Sequence, residues 1–436
     1  FEAPLLAGIL VFFMKYIGVN FLNENNYTLY NSENLPQYLF ISVIVALFIG
    51  LTTSAEEIIG NLKILKREQF LNLSKGSYLF SKITLLFFIS LIQTLFYVLA
   101  GNLILEIHGM NLSYWMILFS VSCFANLLGL NISASFNSVK VIYILIPVCI
   151  IPQLLFSGII VSFDKLNPLF SAKSHVPLIG NIMASRWAFE ALAVCQFKDN
   201  DYEVVFYEHD KEMSFANWKK DQWVSNVQTK LKDVNRYISN TNDTVIKNDK
   251  NKKILITQQL EIVKLEILKE LRHNKDINYS GLAALKIQVE LLKLENFNSA
   301  IYSSISEYLS ICKENYKEIY KTNERKRDEA QQVFFKPNEA FIKQIDEKKR
   351  LGIINSKEHR KLKRLMTKLK DENFKNFRNK YKNKALEDFV TNSNTLNFTD
   401  EDGYSIIQKT DPIYLDPYDF NYFKAHFYSP SKKVFG

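Results

Sequence analysis

Four stretches of this chain, residues 34–55, 83–105, 112–139 and 141–163, contain no charged side chain, and all four fall within the first 163 residues. Each supplies the ~20 apolar residues that an α-helix rising 1.5 Å per residue needs to cross a hydrocarbon layer about 30 Å thick. Residues 3–22 form a further candidate, the first of five in chain order, marked only by Lys15. No charge-free run of this length follows residue 163. The expected fold class is therefore all-α. Five membrane-crossing helices come first, and an elongated helical bundle or coiled hairpin lies outside the membrane. The boundaries predicted from composition are a membrane core over 1–163, an interfacial or re-entrant segment over 164–200, a helical insertion over 201–396 and an irregular segment over 397–436.

Charge is distributed as unevenly as hydropathy. Residues 1–163 hold seven Lys or Arg and seven Asp or Glu, so the net +9 lies wholly in the hydrophilic part. That surplus is read as a lysine-rich composition, and no nucleic-acid partner is expected. Four scattered cysteines do not make a disulfide framework. The six histidines are isolated, so no structural metal is expected. The chain opens on Phe1 with no basic segment ahead of its first apolar run, which reads as a piece of a longer protein and not as a signal peptide.

The loops between the apolar stretches alternate in charge. Residues 23–37 and 106–113 contain no Lys or Arg, whereas Lys63, Lys66, Arg67, Lys75 and Lys82 follow the second stretch and Lys140 follows the fourth. By the positive-inside bias, residues 56–82 and 140 face the cytoplasm and the fifth stretch exits on the opposite side. Residues 176–197 could cross back, but Pro177, Gly180, Arg186 and Glu190 oppose a crossing. Arg186 and Glu190 stand four apart and can pair on one helical face, with Trp187 beside them. A broken, partly re-entrant helical hairpin is predicted there.

From about residue 217 to residue 390, helical periodicity dominates. Ile256, Leu260, Val263, Ile267 and Leu271 make one stripe, Leu282, Leu285, Val289 and Leu292 another, and Ile301, Ile305, Tyr308, Cys312 and Ile319 a third. Such stripes require partner helices. Residues 357–384 are very basic with interleaved Leu, Phe and Tyr, a helix with a solvated lysine face and a packed apolar face. Asp400, Asp402 and Gly403 suggest part of a calcium loop, but the later ligands are missing and a surface turn is the better reading.

The functional motifs lie in the apolar third. No phosphate-cradling G-x-x-x-x-G-K-[ST] occurs, and no catalytic constellation can be assembled. Residues 55–82 read as an amphipathic connecting helix at the membrane surface, suited to receiving a push from a cytoplasmic partner. Pro147, Pro152 and Gly158 interrupt the fifth stretch, which predicts either a broken helix able to wall a pathway or a simple kinked packing helix.

Three motifs together resemble the transmembrane domain of ABC type-2 transporters, especially the White or G-like subfamily in a bacterial form. The first is Glu56 and Glu68 in the connecting helix, followed by Gly76-Ser77-Tyr78 and Lys82. The second is Phe156-Ser157-Gly158-Ile159-Ile160-Val161. The third is Ser185-Arg186-Trp187-Ala188-Phe189-Glu190-Ala191-Leu192 with Phe197. The resemblance covers about residues 1–200. It implies a homodimer whose second and fifth spans line a cavity through Ile49, Thr52, Thr53, Ile151 and Leu154, with a hydrophobic gate at Ile159 and Ile160. It implies that the connecting segment, through Glu56, Arg67 and Glu68, receives the stroke of a nucleotide-binding domain. ATP and Mg would be held in that domain, with no cofactor in this chain.

The resemblance further implies an exporter of the cell inner membrane. Its sixth span is missing here, and its outer loop is replaced by a large extracytoplasmic insertion able to meet an envelope partner. The rival readings are a membrane-anchored helical structural or adhesive protein, and a protein whose hydrophilic region is a signalling domain.

Overall fold

The computed structural model describes residues 2–17, 27–68, 74–136, 138–157, 178–239, 250–273, 282–334, 339–351 and 355–387, and the regular elements among them are all helical. They divide into two compact units, one drawn from residues 2–207 and 332–387 and the other from 208–331.

The first unit is built on the apolar third of the chain. Helix α1 (Glu2–Phe12) continues as a π turn to Ile17. Then come α2 (Leu35–Ser54), the short α3 (Glu57–Gly60) and α4 (Leu62–Glu68), α5 (Lys75–Leu105), α6 (Asn111–Ser135) and α7 (Val139–Leu155). The stretch Leu35–Leu65, α5 and α6 are long and apolar enough to cross a membrane, while Ala3–Lys15 and Val139–Leu155 are apolar but shorter. Phe80, Phe88, Leu103, Leu112 and Ile144 are each more than three-fifths exposed. That surface would drive aggregation in water and is the ordinary outer surface of helices solvated by lipid. The fold is an all-α polytopic membrane core.

Two local features differ from the sequence expectation. The third apolar helix begins at Lys75, two turns before its charge-free stretch, because Ser74 caps it by accepting the amide of Ser77 at 3.4 Å. The connecting segment is correspondingly shorter and consists of α3 and α4. Helix α7, for its part, runs unbroken through both Pro147 and Pro152 to Leu155. Tertiary neighbours make proline tolerable in membrane helices. Gly158, Ile159 and Ile160 lie outside the described residues, as does the 397–403 turn.

The tightest packing joins α2 to α6. Ala46, Gly50 and Ser54 repeat every fourth residue on α2, and Gly50 and Ser54 meet the small residues Ser122, Ala125 and Gly129 of α6. A Cβ added at Gly50 would stand 2.7 Å from both the Ala125 Cβ and the Ser122 carbonyl oxygen. One at Gly129 would stand 3.1 Å from the Leu51 carbonyl oxygen. Hydrocarbon gives no hydrophobic drive between helices, so this close approach replaces it with van der Waals contact.

The second unit contains most of α10 (Glu203–Trp218), a π turn (Lys219–Trp223), α11 (Val224–Ser239), α12 (Lys250–His273), α13 (Leu282–Glu290) and most of α14 (Ser299–Phe334). Every described member of the three predicted stripes is buried or packs at the edge of one core, together with Phe215, Trp223, Val227, Leu231 and Val234. Inside that core Lys219 pairs with Glu270 at 2.5 Å and lies 4.1 Å from the centre of the Trp223 ring. Tyr316 donates to the other Glu270 oxygen. A buried ion pair persists only when its remaining polar atoms are satisfied, and Tyr316 supplies that partner.

Gly50→Val forces α2 and α6 apart. Overpacking of this kind costs about 1–3 kcal/mol. The variant should unfold at a clearly lower temperature in detergent, whereas Gly8→Val, where an added Cβ meets nothing within 4 Å, should melt as the parent does.

Candidate functional site at the two ends of the helical core

The helices α2, α5 and α6 are joined at one end by the connecting segment. Ser133, in the last turn of α6, accepts hydrogen bonds from the backbone amides of Ile58 and Ile59, both at 3.1 Å. Glu57 pairs with Lys82 of α5 at 2.6 Å. Segment α3–α4 thus continues α2 covalently, binds α6 through Ser133 and binds α5 through Lys82. Glu56 is exposed at the start of this segment and Arg67 is exposed near its end. Glu68 is the last residue of α4.

The opposite end gathers the two loops that lack Lys and Arg. Tyr27 donates to the Leu105 carbonyl at 3.0 Å, and Lys15 pairs with Glu106 at 3.0 Å. Two later parts of the chain arrive at this same end. One is α9 (Ala184–Lys198), preceded by the short α8 (Leu178–Ile182) and a break at Met183. It starts beside α7, where the Ser185 amide and hydroxyl donate to the Gln153 side-chain and backbone oxygens at 3.0 and 2.6 Å. It finishes beside the start of α6, where Tyr114 donates to Gln196 Oε1 at 2.6 Å. Packed between α2 and α6, α9 therefore spans only part of the core.

The other arrival is the basic helix α16 (Ser356–Tyr381), paired with α15 (Glu339–Arg350) through His359 and Asp346 at 2.6 Å. Its N-terminus is fixed by a capping box of Asn355 and Glu358. Phe374 and Phe377 pack on Tyr202, and Tyr381 meets the His108 ring. The Asn383 amide nitrogen then donates to the carbonyls of Leu29 and Ser32, each at 2.7 Å, while its oxygen accepts the Leu386 amide at 2.7 Å. Gln196 Nε2 donates to the Tyr381 carbonyl at 3.3 Å. Lys382 pairs with Glu203 at 2.7 Å and Glu387 at 3.5 Å. Burial opposes the Lys382 ammonium, but Glu203 and Glu387 outweigh it and hold its pKa above the ordinary lysine value. The sequence signals a packed helix here but carries no mark of its destination, because contacts more than 350 residues apart leave no local periodicity.

Between the ends runs a buried polar seam. Ser122 donates to Ser90 at 2.9 Å, and Asn126 Nδ2 donates to Ser90 at 2.7 Å. The Thr53 hydroxyl lies 3.4 Å from Asn126 Oδ1. Polar groups in an apolar core persist where neighbours satisfy them, and here they tie α2, α5 and α6 together. Their signal was available as Ser and Asn at four-residue spacing in a charge-free stretch.

The expected pathway residues fall as follows. Ile49 is buried against α5 and α6, and Thr53 joins the seam. The half-buried Thr52 returns its hydroxyl to the Phe48 carbonyl at 2.9 Å. Ile151 is exposed and Leu154 half-buried on α7. Arg186 and Glu190 are brought together at 3.3 Å, both buried, with Arg186 also stacked on the half-exposed Trp187 at 4.3 Å.

A polytopic helical core, a short connecting segment attached to three of its helices and a partial-depth helix at the far end are the features that a functional reading has to use. Residues 4–197 match the family model described as ABC-2 type transporter. The match covers less than half of the chain, and over that segment the chain is similar to the membrane permease component of an ABC transporter. Domains of this kind generally work with nucleotide-binding ATPase subunits. No curated protein and no solved structure matches the chain.

Asn383→Ala removes one buried acceptor and leaves the carbonyls of Leu29 and Ser32 without these donors. Stranding buried groups costs about 1–3 kcal/mol. Hydrogen exchange should accelerate in residues 377–387 while the amides of α6 keep their protection.

Proposed function

We propose that this chain is the membrane part of an ATP-driven exporter of the bacterial inner membrane, similar to the G-like subfamily. Two copies enclose the pathway, and a nucleotide-binding ATPase acts on α3–α4. ATP and Mg are held in that ATPase. The observation that carries this reading is the attachment of α3–α4 to α2, α5 and α6 at once. A stroke delivered there shifts three helices of a rigidly packed core together, as transmission through two discrete arrangements requires.

In this reading Glu56, Arg67 and Glu68 meet the ATPase. Ile49, Thr52, Thr53, Ile151 and Leu154 wall the pathway in the dimer, and Ile159 and Ile160 form its gate. The positively charged connecting segment faces the cytoplasm, and the end that receives α9 and α16 faces outward. The helical insertion over 201–396 then lies outside the cytoplasm, where an envelope partner can reach it. The reading as a membrane anchor accounts less well for the polar seam, since an anchor has no need of buried Ser and Asn between its helices.

A photo-crosslinking side chain at Arg67 should capture a P-loop ATPase in native membranes, and ATP with vanadate should change the yield severalfold. The same group at Glu33, on the opposite end, should capture none. Equal ATPase capture from both positions, or none from Arg67, would overturn the proposal.

A further inference from the structure

The hairpin of α15 and α16 belongs to the first unit and presents a cationic face that its packing leaves free. Helix α16 carries ten Lys or Arg against three Asp or Glu. Lys357, Lys361, Arg364 and Lys368 recur at steps of four, three and four, which sets them on one face. All four are exposed, and among the described residues none is paired with a carboxylate. Asp371 and Glu372 then interrupt the face before Lys375. The opposite face is occupied, since His359 is buried against Asp346 while Phe374 and Phe377 pack on Tyr202.

Two leucines stand exposed among these cations. Leu365, 51 % exposed, follows Arg364, and Leu351, 63 % exposed, follows Lys348, Lys349 and Arg350 at the end of α15. The headgroup boundary of a bilayer suits both kinds of side chain, because the apolar tip enters the acyl edge while the cation stays with phosphate. The fastening of the hairpin brings it to that boundary. Arg378 lies 5.1 Å from the centre of the Tyr30 ring, Tyr381 meets His108, and Asn383 donates to the Leu29 and Ser32 carbonyls. Tyr30 stands just before α2 and His108 between α5 and α6, three helices long and apolar enough to span, so the C-terminal end of α16 is held where those helices leave the hydrocarbon. At 1.5 Å per residue, no cation of the face is more than ~36 Å from that anchor. Tethering of this kind gives the headgroups a high effective concentration.

We propose that the α15–α16 hairpin docks on anionic phospholipid headgroups of the leaflet at that end, with its cations on phosphate and Leu351 and Leu365 in the acyl edge. Zwitterionic headgroups carry no surplus charge for these cations, so the docking selects anionic lipid. It needs only α15, α16 and the loops to which they are fastened, and it holds whether or not the core transports anything.

The full chain with a photo-crosslinking side chain at Leu365 tests this in nanodiscs of phosphatidylcholine with a minority of phosphatidylglycerol, with lipid adducts read by mass spectrometry. The same side chain at Phe88, on the exposed apolar surface of α5, reports the bulk lipid ratio. Leu365 should capture lipid with the phosphatidylglycerol share raised at least threefold over that at Phe88. Salt near 1 M, where the Debye length falls to about 3 Å, should remove the enrichment. Lys361→Glu combined with Arg364→Glu and Lys368→Glu should remove it as well. These positions lie outside the capping box and away from Phe374 and Phe377, and an unchanged melting temperature confirms the fold, while the salt arm needs no charge variant. Capture should not change when the discs are diluted tenfold, because protein and lipid share one disc. Absence of lipid adducts at Leu365, a phosphatidylglycerol share equal to that at Phe88, or enrichment that survives both salt and charge reversal would overturn the proposal. Capture that disappears on dilution, or capture of an acidic protein in place of lipid at Leu365 in native membranes, would do the same.

Discussion

The close crossing of α2 and α6 is the contact on which the rest of the first unit depends. Lipid is as apolar as the helices it surrounds, so apolar area alone cannot hold them together. Gly50 against Ala125 and Ser122, and Gly129 against Ser54 and Leu51, bring two backbones close enough for dispersion to act along the whole seam. Once that distance is set, Asn126 reaches both Ser90 and the neighbourhood of Thr53, and α5 is recruited. The same crossing places Ser133 under the amides of α3. Packing inside the core and attachment at its end are thus one arrangement.

A short segment of mostly half-buried residues is in this way tied to the core. Segment α3–α4 buries little itself, yet it is bound to three helices that cannot move separately without breaking buried contacts. At the far end, α9 fills part of the core's depth and leaves a lateral cavity, while Asn383 and Lys382 fasten the basic helix to the loops there. Each end therefore has its own chemistry. One carries the short connecting segment with its basic side chains, and the other carries the basic helix together with buried carboxylates, amides and aromatic rings.

Much of this was legible in the sequence because it is periodic. Charge-free stretches marked the membrane helices, alternating loop charge paired the loops correctly by end, and four- and three-residue steps marked the core of the second unit. The Arg186–Glu190 pair followed from its spacing. What was not legible is non-local or decided by a single cap. Ser74 moved the start of α5 from Ile83 to Lys75. The prolines of α7 did not end their helix, since that depends on neighbours which spacing does not name. Gln196, Asn383 and Lys382 were passed over because their partners lie in distant segments. The small-residue repeat 46–50–54 was visible, yet only its partner on α6 gives it meaning.

In the proposed reading the two ends of this core face opposite sides of the membrane, with the connecting segment inside. Lys63 and Lys384 are both exposed, one at each end, and the four native cysteines are half-buried or buried. Single cysteines at these two positions, treated in intact cells with a membrane-impermeant maleimide, measure the claim directly. Lys384→Cys should label at once and Lys63→Cys only after permeabilisation. Labelling of both from outside, or of Lys63→Cys alone, would contradict it.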